Sequence, residues 1–268
     1  MTLVFDYLGA IGAIVKRDAA IFTSYRFRVF GQALAMLFTL TMFFYIAKLV
    51  RPDAVGPSGD YYAFAVVGIV IMALVTAALN TAQIIRMELM QGSFERVLIS
   101  PLGPVGGVVA VAAFPILYSA LFAGLMLALA AGVYGIPIHT AGIPPAIGVA
   151  LLAAVAFASI GMLFVAALLA FKSSLGAAWV VAGLSLLGGA YFPVKLFPGW
   201  IRWTSEVQPL TPAVDLLRHL LVGTKSVHPV WIEFAKLCGF TAVLIPVSIA
   251  ALCWAVSWSR RRGTITEY

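Results

Sequence analysis

The chain has 268 residues, 63% of them hydrophobic and 10% charged, with a mean hydropathy of +1.06 and a formal charge of +7. A soluble domain typically carries about 25% charged residues, so this composition excludes a water-soluble globule and points to a chain dissolved in a bilayer. The basic excess does not read as a nucleic-acid surface. The longest basic run, Arg260-Arg261-Arg262, follows an apolar stretch, the place of topology-setting charge.

In chain order, residues 1–29 come first. At helical pitch Leu3, Tyr7, Ile11, Ile14, Ile21 and Tyr25 share one arc, while Asp6, Lys16, Arg17, Ser24 and Arg28 share the opposite one; Phe5 and Asp18 break the pattern. A helix lying in the cytoplasmic membrane interface satisfies this, and so does one packed on the protein's own spans. The segment lacks the basic, apolar and cleavage regions of a secretory signal. A spanning helix needs about 20 mostly apolar residues. Six stretches meet this, at 30–50, 61–82, 105–134 (with Pro115 as a kink), 145–171, 175–191 and 231–258. The expected fold class is all-α integral membrane: six transmembrane helices, an N-terminal amphipathic interface helix, and an outer re-entrant helical hairpin between helices 5 and 6.

An even number of spans puts both termini on one side. Ten basic residues then lie on that side (Lys16, Arg17, Arg26, Arg28, Arg86, Arg96, Lys172, Arg260, Arg261, Arg262). Seven lie opposite (Lys48, Arg51, Lys195, Arg202, Arg218, Lys225, Lys236). The positive-inside rule makes the termini cytoplasmic and the protein a multi-pass cell-membrane protein. The hairpin expectation rests on 192–230, which holds Pro193, Pro198, Pro209, Pro212 and Pro229 with Trp200 and Trp203. It is too polar and broken to span, yet too apolar for a free loop. Such backbone is tolerated at membrane depth only when buried in protein or lining a cavity.

Catalytic chemistry is missing from the sequence. His139, His219 and His228 all fall on the outer side, in no metal-ligand spacing. Lys48, Lys236 and Glu233 sit near span ends, where long side chains reach the interface, and no mid-span carboxylate marks a proton-coupled carrier. Cys238 and Cys253 are 15 residues apart in one apolar segment, about 22 Å along a helix, so they read as buried free thiols. Gly223-Thr224-Lys225-Ser226 is not a phosphate loop, because Thr224 stands where that motif requires Gly. Any uphill work therefore draws its energy from a partner.

The loop after the second span carries an ordered string: Glu88-x3-Gly92-x2-Glu95-x2-Leu98-x-Ser100-Pro101, opened by Arg86. Gly92 permits a tight turn. Ser93 can cap the short helix that follows, Glu95 suits its first turn, and Pro101 closes it. Phe94, Val97 and Leu98 would form an apolar face suited to docking in a groove of a soluble partner. This string resembles the coupling-helix region of ABC-2 type export permeases. A second block resembles the same family's segment after the fifth span: Gly188-Gly189-Ala190-Tyr191-Phe192-Pro193, Pro198-Gly199-Trp200, and Gln208-Pro209-Leu210-Thr211-Pro212 with Asp215, Arg218 and Gly223.

The resemblance implies a single ABC-2 type transmembrane domain over 1–268, with the interface helix at 1–29, the coupling-helix loop at 84–103 and the outer hairpin at 192–230. It implies two permease chains, a homodimer here, beside two copies of a separate ATP-binding cassette subunit that holds ATP and Mg; no cofactor and no ATPase site belong to this chain. Coupling residues would be Arg86, Glu88, Gly92, Ser93, Phe94, Glu95 and Arg96, with Lys16, Arg17 and Arg26 beside the same subunit. The outer gate would include Phe192, Pro193, Pro198, Trp200, Pro209 and Pro212. The apolar spans favour a hydrophobic or amphipathic cargo, drug-like or lipid. The alternatives are a lipid-linked polysaccharide, with Phe38, Phe43, Phe44 and Tyr45 as stacking candidates, or a secondary carrier or channel.

Overall fold

The computed structural model describes residues 2–49, 61–92, 102–171 and 176–262, and every regular element among them is helical. The helices are α1 (Thr2–Ser24), α2 (Arg26–Leu49), α3 (Tyr61–Leu79), α4 (Thr81–Met90), α5 (Gly103–Tyr134), α6 (Ile143–Phe171), α7 (Gly176–Leu187), α8 (Gly199–Glu206), α9 (Leu210–Val222) and α10 (Val230–Arg262). Five described stretches are long and apolar enough to cross a bilayer: Val29–Leu49, Tyr61–Met90, Gly103–Tyr134, Thr140–Phe171 and Val230–Ser259. They correspond to five of the six spans read from sequence. Among the described residues of the remaining one, 175–191, the helix is the 12-residue α7, about 18 Å against the roughly 30 Å hydrocarbon core. Its helix stops at the Gly188-Gly189 turn, where Gly189 takes a φ of 72°.

The second span is longer than its composition implies. α4 follows α3 with only Asn80 between them, and the Asn80 carbonyl accepts from Gln83 and Ile84. Arg86 and Glu88 are therefore helical rather than part of a loop, which starts at the Gln91-Gly92 turn. α5 continues through Pro115, so the expected kink leaves the helix uninterrupted.

α3 is the centre of the molecule, buried on nearly every side. α10 packs most extensively along α6, while α5 and α6 flank α3. Burial against lipid gives little driving force between spans, so close backbone approach and dispersion must hold them. Gly161 of α6 supplies such an approach: a Cβ there would lie 2.3 Å from the Ala78 carbonyl oxygen of α3. Gly68 supplies another, its missing Cβ leaving room for the Ala190 carbonyl, which would be 1.8 Å away. Several hydroxyls in the spans bond back within their own helices, as when Thr39 and Thr41 donate to the Ala35 and Leu37 carbonyls.

Candidate functional site

Two opposite ends of the bundle hold the residues singled out above. At the end where α4 stops, α1 lies against α5, with the Phe22 ring 4.3 Å from that of Tyr118. Ile21 and Tyr25, assigned to the apolar arc, are exposed, so the packed face is rotated towards Phe22. Arg17 donates from Nε to Asp18 at 2.8 Å and from Nη2 to Glu88 at 3.3 Å. Asp18, which breaks the amphipathic pattern, thus serves to orient Arg17. The Glu88 side chain is 14% exposed while Arg17 is half-exposed. The structure therefore brings Arg17 and Glu88 together across 71 residues. Arg86 is exposed on α4, Lys16 and Arg26 are exposed nearby in sequence, and Gly92 turns with φ of 68° as its type predicts. Ser93, Phe94, Glu95 and Arg96 lie outside the described residues.

The other end is built by 188–230. Each of its prolines starts an element: Pro193 precedes a 3-10 turn, Pro198 and Pro209 cap α8 and α9, Pro212 lies in the first turn of α9, and Pro229 precedes α10. A helix start needs no amide hydrogen from these positions, so proline fits there at no loss. Phe192, Pro198 and Trp200 are exposed, whereas Pro209 and Pro212 are buried. α9 is no surface element: Leu210, Ala213, Val214, Leu216, Leu217 and Leu221 join the main core with α3 and α6.

Arg218 holds α9 in place. Its Nε donates to the Phe64 carbonyl at 3.0 Å, Nη1 to Gly189 at 2.7 Å and Nη2 to Ala190 at 2.6 Å. The guanidinium also lies 3.3 Å from the centroid of the Phe64 ring. Burial pushes its pKa down to about 9, so it stays cationic at neutral pH. A charge so enclosed persists because carbonyl dipoles and a ring face replace its water. From sequence Arg218 is one of the seven outer basic residues and part of a string; its burial follows from the Gly188-Gly189 turn, whose carbonyls it satisfies.

A second polar cluster ties α8 to the start of α10. Lys236 donates to Glu206 and, at 3.4 Å, to Glu233, while His228 Nε2 lies 3.2 Å from Glu206. Glu233 and Lys236 are thus both engaged in this network, and Glu233 is buried. His219 donates from Nδ1 to the Thr224 carbonyl at 3.0 Å, which makes the Gly223-Thr224 segment a helix-ending turn. Cys238 is half-buried and Cys253 exposed, both free thiols; the burial expected for Cys253 fails because it lies on the outward side of α10. Phe43 stacks with Tyr191, and Phe44 packs against Tyr62 and Tyr134, while Phe38 and Tyr45 are exposed. Among the described residues no group of three or more His, Cys, Asp or Glu could hold a metal.

Comparison with known proteins decides the family. The family described as ABC-2 type transporter matches residues 10–222, a range that runs from within α1, through the coupling string, to the end of α9. The chain belongs to the ABC-2 type transporter family. Nodulation protein J of Rhizobium meliloti (strain 1021) is 32% identical over 73 residues, which is 27% of this chain and 28% of that protein. The chain thus spans about a quarter of that relative's length in the matched region. Members of this family normally serve as the membrane subunit of an ABC transporter and work with an ATP-binding subunit, and the long apolar helices described above suit a multi-pass membrane protein. ABC-2 membrane domains are generally non-catalytic.

Proposed function

We propose that this permease forms, as a homodimer with two copies of a separate ATP-binding subunit, the export pathway for a hydrophobic or amphipathic substrate, drug-like or lipid. ATP and Mg would be held by the partner subunit. The observation that carries the reading is the Arg17–Glu88 contact. It joins α1 to the end of α4 at the point where the chain departs into 93–101. A force applied to that loop would reach both the second span, through the continuous α3–α4 rod, and α1. Arg86, Glu88, Gly92, Ser93, Phe94, Glu95 and Arg96, with Lys16, Arg17 and Arg26, are the proposed coupling surface.

The same reading makes 192–230 a re-entrant outer hairpin and α7 the core of a sixth crossing. α6 ends beside the end of α10, since Ser259 donates to the Leu169 carbonyl, whereas Gly189 and Ala190 sit with Phe64 at the opposite end. These two contacts support a return of the chain across the bundle between them. Six crossings put both termini on the cytoplasmic side. Phe192, Pro193, Pro198 and Trp200 would form the moving rim of the gate, and Pro209 and Pro212 its buried hinge side. The test is ATPase turnover of the cognate subunit reconstituted with this chain. The permease should raise it, and Glu88→Lys should remove that rise; unchanged stimulation and export in the variant would overturn the coupling assignment.

A further inference from the structure

The hairpin encloses a cavity of about 250 Å³ lined by Phe64, Gly188, Gly189, Pro193, Val194 and α9 residues, with Lys195, Thr224 and Lys225 also on its wall. Arg218 lines its inner wall and is 5% exposed. Three of its nitrogens each donate to one carbonyl. A guanidinium has five N–H groups, so further donors remain on Nη1 and Nη2. Thr211 Oγ1, also on the wall, is buried and without a hydrogen-bond partner among the described residues. Such an orphaned hydroxyl normally has a partner, protein or ligand.

The charges on the wall are one-sided. Lys195 and Lys225 are exposed, and neither ammonium has a carboxylate within ion-pair distance among the described residues. Among the described residues Asp215 is the one carboxylate on the cavity wall. It is already engaged, accepting from the Val227 amide at 2.7 Å. Three cationic residues and the orphaned Thr211 hydroxyl therefore share the wall with one engaged carboxylate. That donor set exceeds what a carboxylate ligand would use and suits a tetrahedral oxyanion, whose several oxygens accept charge-assisted hydrogen bonds. Depth is indicated independently. Trp200, Trp203 and Trp231 on the same end are 74%, 63% and 71% exposed, and exposed tryptophans favour the headgroup level of a bilayer.

We propose that this cavity binds a phosphate group, carried either by a lipid headgroup or by a free phosphate, between Arg218, Thr211, Lys195 and Lys225. The test follows amine acetylation of Lys195 and Lys225 by mass spectrometry in the full chain held in nanodiscs. Three preparations are compared: a phosphate-free galactolipid, the same lipid with phosphatidylglycerol, and the galactolipid with millimolar inorganic phosphate. Protection of both lysines by about threefold, the effect of a ligand at twice its Kd, is expected in at least one phosphate-bearing preparation. The second preparation alone identifies a lipid source, and the third a free phosphate.

Lys48 serves as the reference for general surface effects. Thr211→Val should abolish the protection and Lys225→Gln should abolish that of Lys195. Equal reactivity in all three preparations would overturn the site. So would protection shared by Lys48, or protection retained in Thr211→Val. None of these outcomes depends on whether an ATPase docks at the far end of the bundle.

Discussion

Replacing Arg218 by Met should loosen the hairpin more than any other single change there. The guanidinium satisfies three carbonyls, those of Phe64, Gly189 and Ala190, at 3.0, 2.7 and 2.6 Å. Leaving a buried polar group without its partner costs about 1–3 kcal/mol, so three orphaned carbonyls set an upper range of roughly 3–9 kcal/mol. Methionine fills part of the volume and removes the desolvation cost of the charge, which brings the net loss to about 3–5 kcal/mol. For a chain of this size each kcal/mol moves Tm by about 2–4 °C, so a fall of roughly 10 °C is expected. Tryptophan fluorescence during heating in detergent reads it, because Trp200 and Trp203 lie on α8 beside the site. Arg218→Lys should fall between the two, since an ammonium keeps the charge but not the planar fork. A Met variant melting within about 2 °C of the parent would refute the keystone role.

Gly68→Ala should be severe for a different reason: the new Cβ would meet the Ala190 carbonyl at 1.8 Å and Arg218 Nη2 at 2.9 Å, and the backbone partner cannot swing away. A loss of at least about 1–3 kcal/mol follows, against little change for Gly183→Ala, which has open space; equal melting of the two would contradict the close packing. The Glu206 carboxyl is held below its usual range by hydrogen bonding from Lys236, with His228 adding to it. A depressed folded pKa stabilises above the unfolded value near 4.3 and is lost as pH falls through the folded value. Glu206→Gln should therefore melt lower than the parent near neutral pH and converge with it in strong acid, and a constant offset across pH would refute the linkage. A lipid-permeant maleimide should label Cys253 ahead of the half-buried Cys238; the reverse order, read by peptide mass, would place α10 the other way round.

The sequence made the bundle legible where one physical rule dominated. Apolar length alone located the helices at 29–49, 103–134 and 230–259 within a residue or two, because the bilayer leaves the backbone no other option. It failed where local and tertiary demands compete. Residues 84–90 are polar enough to read as part of a loop, yet they stay helical because Ile85 and Leu89 bury one face against α5 and α6. For the segment at 175–191, apolar length did not show where the helix would end, which the structure places at the Gly188-Gly189 turn. In the candidate site, Arg17 and Glu88 were both legible, though not their contact, which depends on how α1 lies across the bundle. Arg218 shows the limit most clearly. Its charge argues for the surface, and only the folded turn supplies the carbonyls that bury it.

The central claim, that a separate ATPase drives this permease through the α1–α4 end, is tested most directly by a charge-exchange cycle on the cognate complex. Glu88→Arg and Arg17→Glu should each lower ATP-coupled export, and the double exchange should restore most of it while the melting temperatures stay close. Export that is unaffected by all three variants, in a complex that still binds its ATPase, would contradict the account.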